Sequence, residues 1–246
     1  MRSAVFVCLA IVACAFCLYD GLSGADLRAA IKHDYYSHKS VGYDKARNLM
    51  YAHIDNVDNY CTGIYTDLQM YYPEGSSDTN QNPDMNCEHI VPQSFFNKSN
   101  PMRCDLHHLR PSYNHANSAR SNYPFEIIPD SEVYKWYNQK EITTHQPEES
   151  DIDNWSRVKK STAWEPHVQS RGTVARAVMY FYTMYPQYIN AIGRVGDVNT
   201  FIQWNEEYPV SDWDMTRNDR VEKYQGNRNP YIDHPELCER AYEDLI

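Results

Sequence analysis

The sequence predicts an α+β fold, built as a helix-rich single domain with a small β element in its middle. Apolar residues recur at helical spacing near both ends of the chain, whereas the middle holds short extended candidates. A chain of 246 residues is ample for one hydrophobic core and short for two ordinary domains. The apolar and charged fractions are near the globular average, which argues against disorder in most of the chain.

Apolar periodicity predicts the individual helices and strands. The strongest helix signal covers residues 173–185, where Gly172 and Pro186 bracket an apolar stripe. Further helices are expected at residues 25–32, 43–54, 112–121, 201–207, 212–223 and 235–244. Ser112 is the expected N-cap of the helix at 112–121. Strands are expected at residues 60–72, 87–91 and 102–109, and loops at residues 73–83 and 143–153.

Residues 1–18 have the pattern of a signal peptide. Arg2 precedes an almost wholly apolar run that ends at Leu18 and is shorter than the ~20 residues that span a membrane. A bacterial lipoprotein signal with an acylated Cys14 is the alternative interpretation. We expect the mature domain to comprise residues 19–246 and to be secreted, either extracellular or periplasmic, with no membrane association after cleavage.

Cysteine usage supports export. The chain has 7 cysteines, and those at positions 8, 14 and 17 lie in the predicted leader. Cys61, Cys87, Cys104 and Cys238 remain, an even number that suggests two disulfides in one of three connectivities. The sequence after the leader has no C-x-x-C pair, which argues against a zinc knuckle or a thioredoxin-like redox site.

The net charge of −10 argues, taken alone, against a polyanionic partner, because phosphate contacts favour basic proteins. Loss of Arg2 with the leader makes the mature chain one unit more negative. The cations are clustered, however, and the local field matters more than the total charge. One cluster combines arginines with histidines: Arg103, Arg110, Arg120, His107, His108 and His115. A second cluster comprises Lys159, Lys160, Arg171 and Arg176.

Residues 86–125 concentrate groups that can carry a proton or bind a metal ion. Phosphodiester hydrolysis needs a base that deprotonates water near neutral pH, and imidazole, with a usual pKa of ~6.5, suits this role. A hard divalent cation on oxygen ligands stabilises the charge that develops on the phosphoryl and leaving oxygens. A His, a Glu and an Asn in one small β-β-α unit could supply this set. Because neighbours on a strand point to opposite faces, Glu88 and His89 can share a site only at a strand end or bend, which Pro92 provides.

Five sequence blocks occur in the order seen in a known family. They are EHIVP at residues 88–92, DLHHLRP at 105–111, NSARSN at 117–122, GTVARA at 172–177 and QGNRNPYIDHP at 225–235. With these blocks the chain resembles the endonuclease I family of secreted and periplasmic nucleases, members of the His-Me finger (ββα-metal) superfamily. The resemblance covers most of the mature chain and implies an α+β domain built around a small ββα-metal finger.

The resemblance also implies an activity and residues that perform it. The activity is sequence-nonspecific endonucleolytic cleavage of DNA, and of RNA as well, through backbone contacts, leaving 5′-phosphate ends. His89 would be the general base, and Glu88 and Asn117 would bind one Mg²⁺, with Ca²⁺ or Mn²⁺ as alternative ions. The family often places a phosphate-stabilising arginine in the loop after the Glu-His block. Lys98 and Arg103 occupy that loop here, and Arg103 is the candidate.

Supporting roles follow from the same resemblance. Asp105 and His107 would orient the metal site through hydrogen bonds, or serve packing alone. Arg110, Arg120 and Arg176 are candidates for binding substrate phosphates, although Arg176 could instead pair with an acid. If the segments that contain Cys87 and Cys104 are the paired strands of the finger, a Cys87–Cys104 disulfide would join them and Cys61–Cys238 would be the second bridge. The chain is expected to act as a monomer.

Two alternative functions stay open. The first is a catalytically inactive nucleic-acid-binding or toxin-like relative, which the presence of Glu88, His89 and Asn117 together disfavours. The second is a zinc hydrolase that uses the cluster of His107, His108 and His115, although the spacing of these histidines matches no standard zinc-ligand pattern.

Overall fold

The computed structural model describes residues 19–77 and 82–246. The predicted signal peptide at residues 1–18 lies outside this part of the chain. The described part combines three small antiparallel sheets with helices that are concentrated near both ends of the sequence. This architecture confirms the predicted α+β class.

Two helices open the domain. Helix α1 spans Gly24–Tyr35 and helix α2 spans Tyr43–Leu49, which continues into a π-helical turn at Met50–Ile54. They match the helices expected at residues 25–32 and 43–54. Gly42 precedes α2 with a φ of 80°, a left-handed conformation that glycine adopts at little cost and that turns the chain sharply into the helix.

The first sheet consists of β1 at Asn56–Val57, β2 at Tyr60–Thr62 and β3 at Gln69–Tyr71, in the order β1-β2-β3. The expectation of one strand over residues 60–72 is therefore wrong. Residues 63–68 reverse the chain, helped by Asp67 with a φ of 52°, so that β2 and β3 pair antiparallel.

The centre of the chain forms a strand–strand–helix unit. Strand β4 at Met85–His89 pairs antiparallel with β5 at Leu109–Tyr113, and helix α3 at Asn114–Arg120 follows β5 directly. The unit agrees with the strand expected near residues 87–91 and the helix expected within 112–121. Ser112, however, lies in β5 and does not cap the helix, because the backbone stays extended through Tyr113.

The segment between β4 and β5 is not the strand expected at residues 102–109. It contains 3₁₀ turns at Gln93–Phe96 and Met102–Cys104. Asp105 explains the difference. Its carboxylate accepts a hydrogen bond from the His107 backbone N–H at 3.0 Å, and its carbonyl accepts one from the His108 N–H at 3.3 Å. These local bonds satisfy backbone groups that a strand would have paired with a neighbour.

The sequence patterns missed a third sheet. It comprises β6 at Lys135–Asn138, β7 at Glu141–Thr143, β8 at Ser156–Lys159 and β9 at Ala163–Glu165, in the order β7-β6-β8-β9. Each strand has only three or four residues, which is too short for an alternating pattern to stand out. The pairing of β6 with both β7 and β8 places the expected acidic loop outside the sheet, as the connection between β7 and β8.

Helices dominate the C-terminal half. They are α4 at Val168–Met184, α5 at Val198–Glu207, α6 at Asp212–Gln225, α7 at Pro230–Asp233 and α8 at Leu237–Tyr242. These confirm the four expected helices in this region, with α4 starting earlier than the expected residue 173. Gly172 lies inside α4 and not before it. A Cβ atom at this position would lie 2.2 Å from the Tyr208 carbonyl oxygen, which explains why the residue is glycine.

Two clusters of buried apolar side chains form the core. The larger cluster surrounds α4 and includes Trp164 and Trp204. The smaller cluster packs under α2 and includes Leu106 and Val221. Over residues 19–77 and 82–246, no helix is both long enough and apolar enough to cross a bilayer.

The four cysteines of the described chain are buried free thiols. Cys61 and Cys238 belong to different core clusters, so the expected bridge between them is not formed. The expected Cys87–Cys104 bridge is also not formed. It assumed that the segments around these two residues pair as strands, whereas the strand position opposite Cys87 is occupied by Pro111.

A buried arginine of α6 pairs with Asp55 and also contacts the start of β5. The Arg217 guanidinium donates to both carboxylate oxygens of Asp55, at 2.7 and 3.0 Å. It also donates to the carbonyls of Leu106 and Leu109, which flank the start of β5, at 3.0 and 2.8 Å. The Arg217 and Asp55 side chains are only 3% and 6% exposed, so little water contacts either charge.

Arg217→Met is therefore expected to lower the free energy of unfolding by about 3–5 kcal/mol, because it leaves the Asp55 carboxylate buried without its cation. Urea unfolding with an unchanged m value measures the loss. Arg194→Ala removes an exposed arginine and serves as the control, with an expected loss below about 1 kcal/mol. Equal losses in the two variants would contradict the role assigned to the ion pair.

Candidate active site

One open cleft brings together the three residues on which the sequence analysis centres. Glu88, His89 and Asn117 all line it, and we call them the central cluster. The cleft has a volume of about 450 Å³, and Lys98, Arg120 and Tyr43 also contribute to its wall. Glu88 and His89 come from the end of β4, and Asn117 comes from α3, so the strand–strand–helix unit supplies the whole cluster.

Glu88 and His89 share the cleft because β4 ends there. The Ile90 N–H still donates to the His108 carbonyl at 3.0 Å, after which the chain bends into Pro92 and the following 3₁₀ turn. This is the strand-end arrangement that allows adjacent residues to serve one site.

The Glu88 carboxylate is buried but has defined partners. The Tyr65 hydroxyl donates to its Oε1 at 2.7 Å, and the Arg120 Nε lies 3.5 Å from the same oxygen. Burial raises the pKa of Glu88, and the Arg120 charge opposes this rise. The contacts engage Oε1, so the carboxylate retains acceptor capacity for a further cation.

The His89 imidazole is held in one tautomer. Its Nε2 lies 3.0 Å from the Arg103 carbonyl oxygen, which only accepts, so Nε2 must carry the proton. Burial, reinforced by the neighbouring His108 imidazole, lowers the pKa of His89 to about 3. At neutral pH the ring is therefore uncharged, and its Nδ1 lone pair is available to accept a proton.

Asn117 contributes an oxygen donor. Its side-chain amide nitrogen donates to the Cys87 carbonyl at 3.3 Å, which orients the amide group. The amide oxygen is then the atom of Asn117 that can bind a cation. Together with the Glu88 carboxylate, the cleft offers oxygen ligands of the type that hard divalent cations prefer.

The histidines expected to form a zinc site do not converge. The Nε2 atoms of His107 and His108 are hydrogen-bonded to the carbonyls of Asn227 and Met102, at 3.0 and 2.7 Å, and His115 is exposed on α3. Within the described ranges, no group of three or more His, Cys, Asp and Glu side chains is arranged to hold a metal ion. The structure therefore contradicts the zinc-hydrolase alternative.

Asp105 and His107 lie behind the cleft. The Asp105 carboxylate accepts from the hydroxyls of Tyr180 at 3.0 Å and Tyr185 at 2.7 Å, both on or next to α4. Neither Asp105 nor His107 is hydrogen-bonded to a side chain of the central cluster within the described chain. Their contacts anchor the loop that carries Arg103, which is an indirect form of the orienting role that the resemblance implied.

The three arginines expected to bind phosphates occupy different places. Arg120 lines the cleft, where it faces Glu88. Arg110 lines a separate cleft and donates to backbone carbonyls of its own strand segment. Arg176 is buried in α4 and donates to Asp214 at 3.1 Å and to the Tyr208 carbonyl. Arg176 thus pairs with an acid and stabilises helix packing, which is the second of the two roles that the sequence left open.

Arg103 reaches the cleft region in two ways. Its carbonyl is the acceptor for His89, and its guanidinium carbon lies 4.0 Å from the centroid of the Tyr43 ring, which lines the cleft.

The second basic cluster of the sequence analysis is largely neutralised, because Lys159 pairs with Glu132 at 2.6 Å and Arg171 pairs with Glu165 at 2.8 Å.

Sequence reasoning missed two tyrosines of this site. Tyr65 orients the Glu88 carboxylate, and Tyr43 packs against His89 with ring centroids 5.6 Å apart. The chain has 21 tyrosines, and no motif distinguishes these two from the rest. Their positions depend on tertiary packing, since Tyr65 follows β2 and Tyr43 begins α2.

Comparisons with known proteins agree on one family. The chain matches the model of the Endonuclease I family over residues 23–236. It is 27% identical over 243 residues to an extracellular ribonuclease of Bacillus subtilis, covering 91% of this chain and 76% of that protein. It is 31% identical over 134 residues to an extracellular deoxyribonuclease of Aeromonas hydrophila, covering 54% of this chain and 51% of that protein. The Endonuclease-1 of Buchnera aphidicola is 29% identical over 128 residues, covering 52% and 45%.

The buried histidines predict a loss of stability in acid. Burial lowers the pKa of His107 to about 3, whereas its unfolded pKa is ~6.5. The unfolded chain therefore binds this proton first, so the contribution is fully present above pH 6.5 and is lost as the pH falls from 6.5 toward 3. His107→Gln keeps a donor for the Asn227 carbonyl and removes this titration. The slope of unfolding free energy against pH should become shallower by up to about 1.4 kcal/mol per pH unit.

Urea unfolding at a series of pH values between 7 and 4 measures that slope. The matched control is His115→Gln, which replaces an exposed imidazole and should keep the wild-type slope. A wild-type slope in His107→Gln would show that the buried imidazole does not couple folding to protonation.

Proposed function

Because the chain belongs to the endonuclease I family, we propose that it is an exported, metal-dependent endonuclease that hydrolyses phosphodiester bonds in DNA and RNA without sequence specificity. The observation that carries the proposal is the convergence of Glu88, His89 and Asn117 in one cleft. This arrangement combines a neutral imidazole with two oxygen donors, which is what hydrolysis of a phosphodiester requires.

His89 is the proposed general base. Its Nε2–H is fixed on the Arg103 carbonyl, so Nδ1 is the atom that takes a proton from the attacking water. The ring is uncharged at neutral pH and so has a free lone pair on Nδ1, while the burial that lowers the pKa of His89 also lowers its proton affinity. Loss of the proton from water creates the nucleophile, whose oxygen bonds to phosphorus as the bond from phosphorus to the 3′ oxygen breaks. The 3′ oxygen takes a proton from solvent, so the products are a 5′-phosphate and a 3′-hydroxyl.

Glu88 and Asn117 are the proposed ligands of one Mg²⁺, and Ca²⁺ and Mn²⁺ share its preference for oxygen. The donor set fits, since a carboxylate and an amide oxygen face the same cleft and leave room for water and substrate. When bound, such an ion supplies Lewis-acid stabilisation of the charge on the phosphoryl and leaving oxygens. Tyr65 and Arg120 hold the Glu88 carboxylate in place for this role.

Cations at the cleft are the proposed contacts for the nucleic-acid backbone. Lys98 is exposed and lines the cleft, and the Arg103 guanidinium lies at its edge against Tyr43. Arg103 remains the proposed phosphate-stabilising arginine. Arg120 is less suited to that role, because its guanidinium donates to the Ile90 carbonyl at 2.7 Å and faces Glu88.

The proposed substrate range and location rest on the relatives. One is named an extracellular ribonuclease and another an extracellular deoxyribonuclease. Backbone contacts explain how one cleft serves both polymers, since the phosphates are common to DNA and RNA. Export would follow cleavage of the predicted signal peptide at residues 1–18, and the mature chain would act as a monomer.

His89→Ala is expected to lower kcat for plasmid nicking by about 100- to 10,000-fold, the usual contribution of a general base. Nicking of supercoiled DNA and cleavage of single-stranded RNA, each with Mg²⁺ and with chelator, measure the effect. His115→Ala removes an exposed imidazole on α3 and serves as the control. Full activity in His89→Ala, or wild-type activity in chelator, would refute the proposal.

Glu88→Gln is expected to abolish stabilisation by Mg²⁺, because it removes the charged ligand while preserving side-chain shape. Wild-type protein should gain about 2.7 kcal/mol in unfolding free energy when Mg²⁺ is present at 100 times its dissociation constant. Urea unfolding with and without Mg²⁺ gives this difference for each variant. Glu141→Gln changes an exposed carboxylate on β7 and should retain the full gain. An equal gain in Glu88→Gln would place the ion elsewhere.

A further inference from the structure

Tyr43 connects the groups around the proposed general base. We propose that Tyr43 is a positioning residue, whose ring fixes the orientation of the His89 imidazole and holds Arg103 at the edge of the cleft. This inference rests on the proposed function, because it explains how the base of that reaction is kept in place. Tyr43 lies outside the five sequence blocks.

Three contacts hold Tyr43 at the site. Its ring stacks on His89 with centroids 5.6 Å apart and planes 28° from parallel. The Arg103 guanidinium carbon lies 4.0 Å from the centre of the same ring. The hydroxyl of Tyr43 also interacts electrostatically with the Cys87 thiol, next to Glu88 in β4. The ring therefore packs on the base and is anchored at its far end.

The contacts close a triangle around His89. The Arg103 carbonyl accepts the His89 Nε2–H at 3.0 Å, while the Arg103 side chain packs on Tyr43, which in turn stacks on His89. The rings of His108 and Phe96 also pack against the imidazole, edge-on or tilted, with centroids 5.6 and 6.4 Å away. Tyr43 is the ring of the three that is stacked on the imidazole face and lines the cleft, so its loss would allow the imidazole to rotate and Nδ1 to change direction. Proton abstraction needs Nδ1 to keep its direction, because a catalytic group must stay within about 0.5 Å of its productive position.

Local backbone geometry places Tyr43 at this point. The left-handed Gly42 ends the preceding segment, and Tyr43 is the first residue of α2. Arg47, one turn later on α2, lies with its guanidinium carbon 5.6 Å from the Tyr43 ring centre. The aromatic ring is thus supported from its own helix while it packs on β4 and the Arg103 turn.

Steady-state kinetics on plasmid or oligonucleotide substrate test the proposal. Tyr43→Leu removes the flat ring and should lower kcat at least 10-fold while KM changes less than 3-fold, because substrate contacts remain. Tyr43→Phe keeps the stack and should recover at least one third of the wild-type kcat. Tyr60→Ala truncates an exposed tyrosine of β2 and should match wild type. A wild-type kcat in Tyr43→Leu overturns the proposal.

Combining Tyr43→Leu with His89→Ala separates positioning from general damage. If Tyr43 acts through the base, its loss should lower the residual rate of His89→Ala less than 3-fold. An equal 10-fold loss in both backgrounds would assign Tyr43 a merely structural role and overturn the proposal.

A readout without catalysis distinguishes this inference from the proposed function. Long-range ¹H–¹⁵N spectra of the histidine side chains in wild type should show His89 as a single tautomer with the proton on Nε2. Tyr43→Leu should give a mixture of tautomers or exchange-broadened signals for His89, and Tyr43→Phe should restore the single form. If wild type proves inactive but these spectra behave as expected, the proposed function fails and the positioning role stands. An unchanged His89 signal in Tyr43→Leu overturns the positioning role.

Discussion

The hydrogen bonds to the Asp105 carboxylate are the interactions on which the rest of the site depends. The carboxylate is fully buried and accepts four hydrogen bonds, from the His107 N–H, the Gln225 amide and the hydroxyls of Tyr180 and Tyr185. Burial of a charged carboxylate is costly unless hydrogen bonds replace the water that it loses, and these four bonds do so. The four donors come from the β4–β5 loop, from α6 and from the region of α4, so the loop cannot move independently of the helical core.

The consequences of this anchor reach the cleft through the backbone. The turn that Asp105 terminates carries Arg103, and the Arg103 carbonyl sets the tautomer of His89. On the other side, Tyr65 and Arg120 hold Glu88, and the Cys87 carbonyl orients Asn117. Each side chain of the central cluster is thus held in place by groups outside the cluster. The positions of these side chains are therefore fixed, although the walls of the cleft come from distant parts of the chain.

Sequence reasoning recovered the fold class, most helices and the residues that converge in the cleft. These features depend on local signals: apolar periodicity for α1 and α4, and motif blocks for Glu88, His89 and Asn117. It failed where contacts that no sequence pattern displays decide the outcome. The third sheet consists of strands too short to show a pattern, and residues 102–109 form turns because Asp105 bonds locally. Tyr43 and Tyr65 escaped notice for the same reason, since only tertiary packing brings them to the site.

The contact between Arg120 and Glu88 has a consequence for how the protein would respond to its surroundings. A guanidinium 3.5 Å from the carboxylate partly neutralises it, so an arriving divalent ion meets repulsion as well as attraction. If Glu88 binds that ion as proposed, this repulsion would weaken binding, and the occupied fraction of the site would depend on the free concentration of the ion. The activity of such an enzyme would then depend on the divalent cations in the surrounding fluid, being low where they are scarce and high where they are abundant.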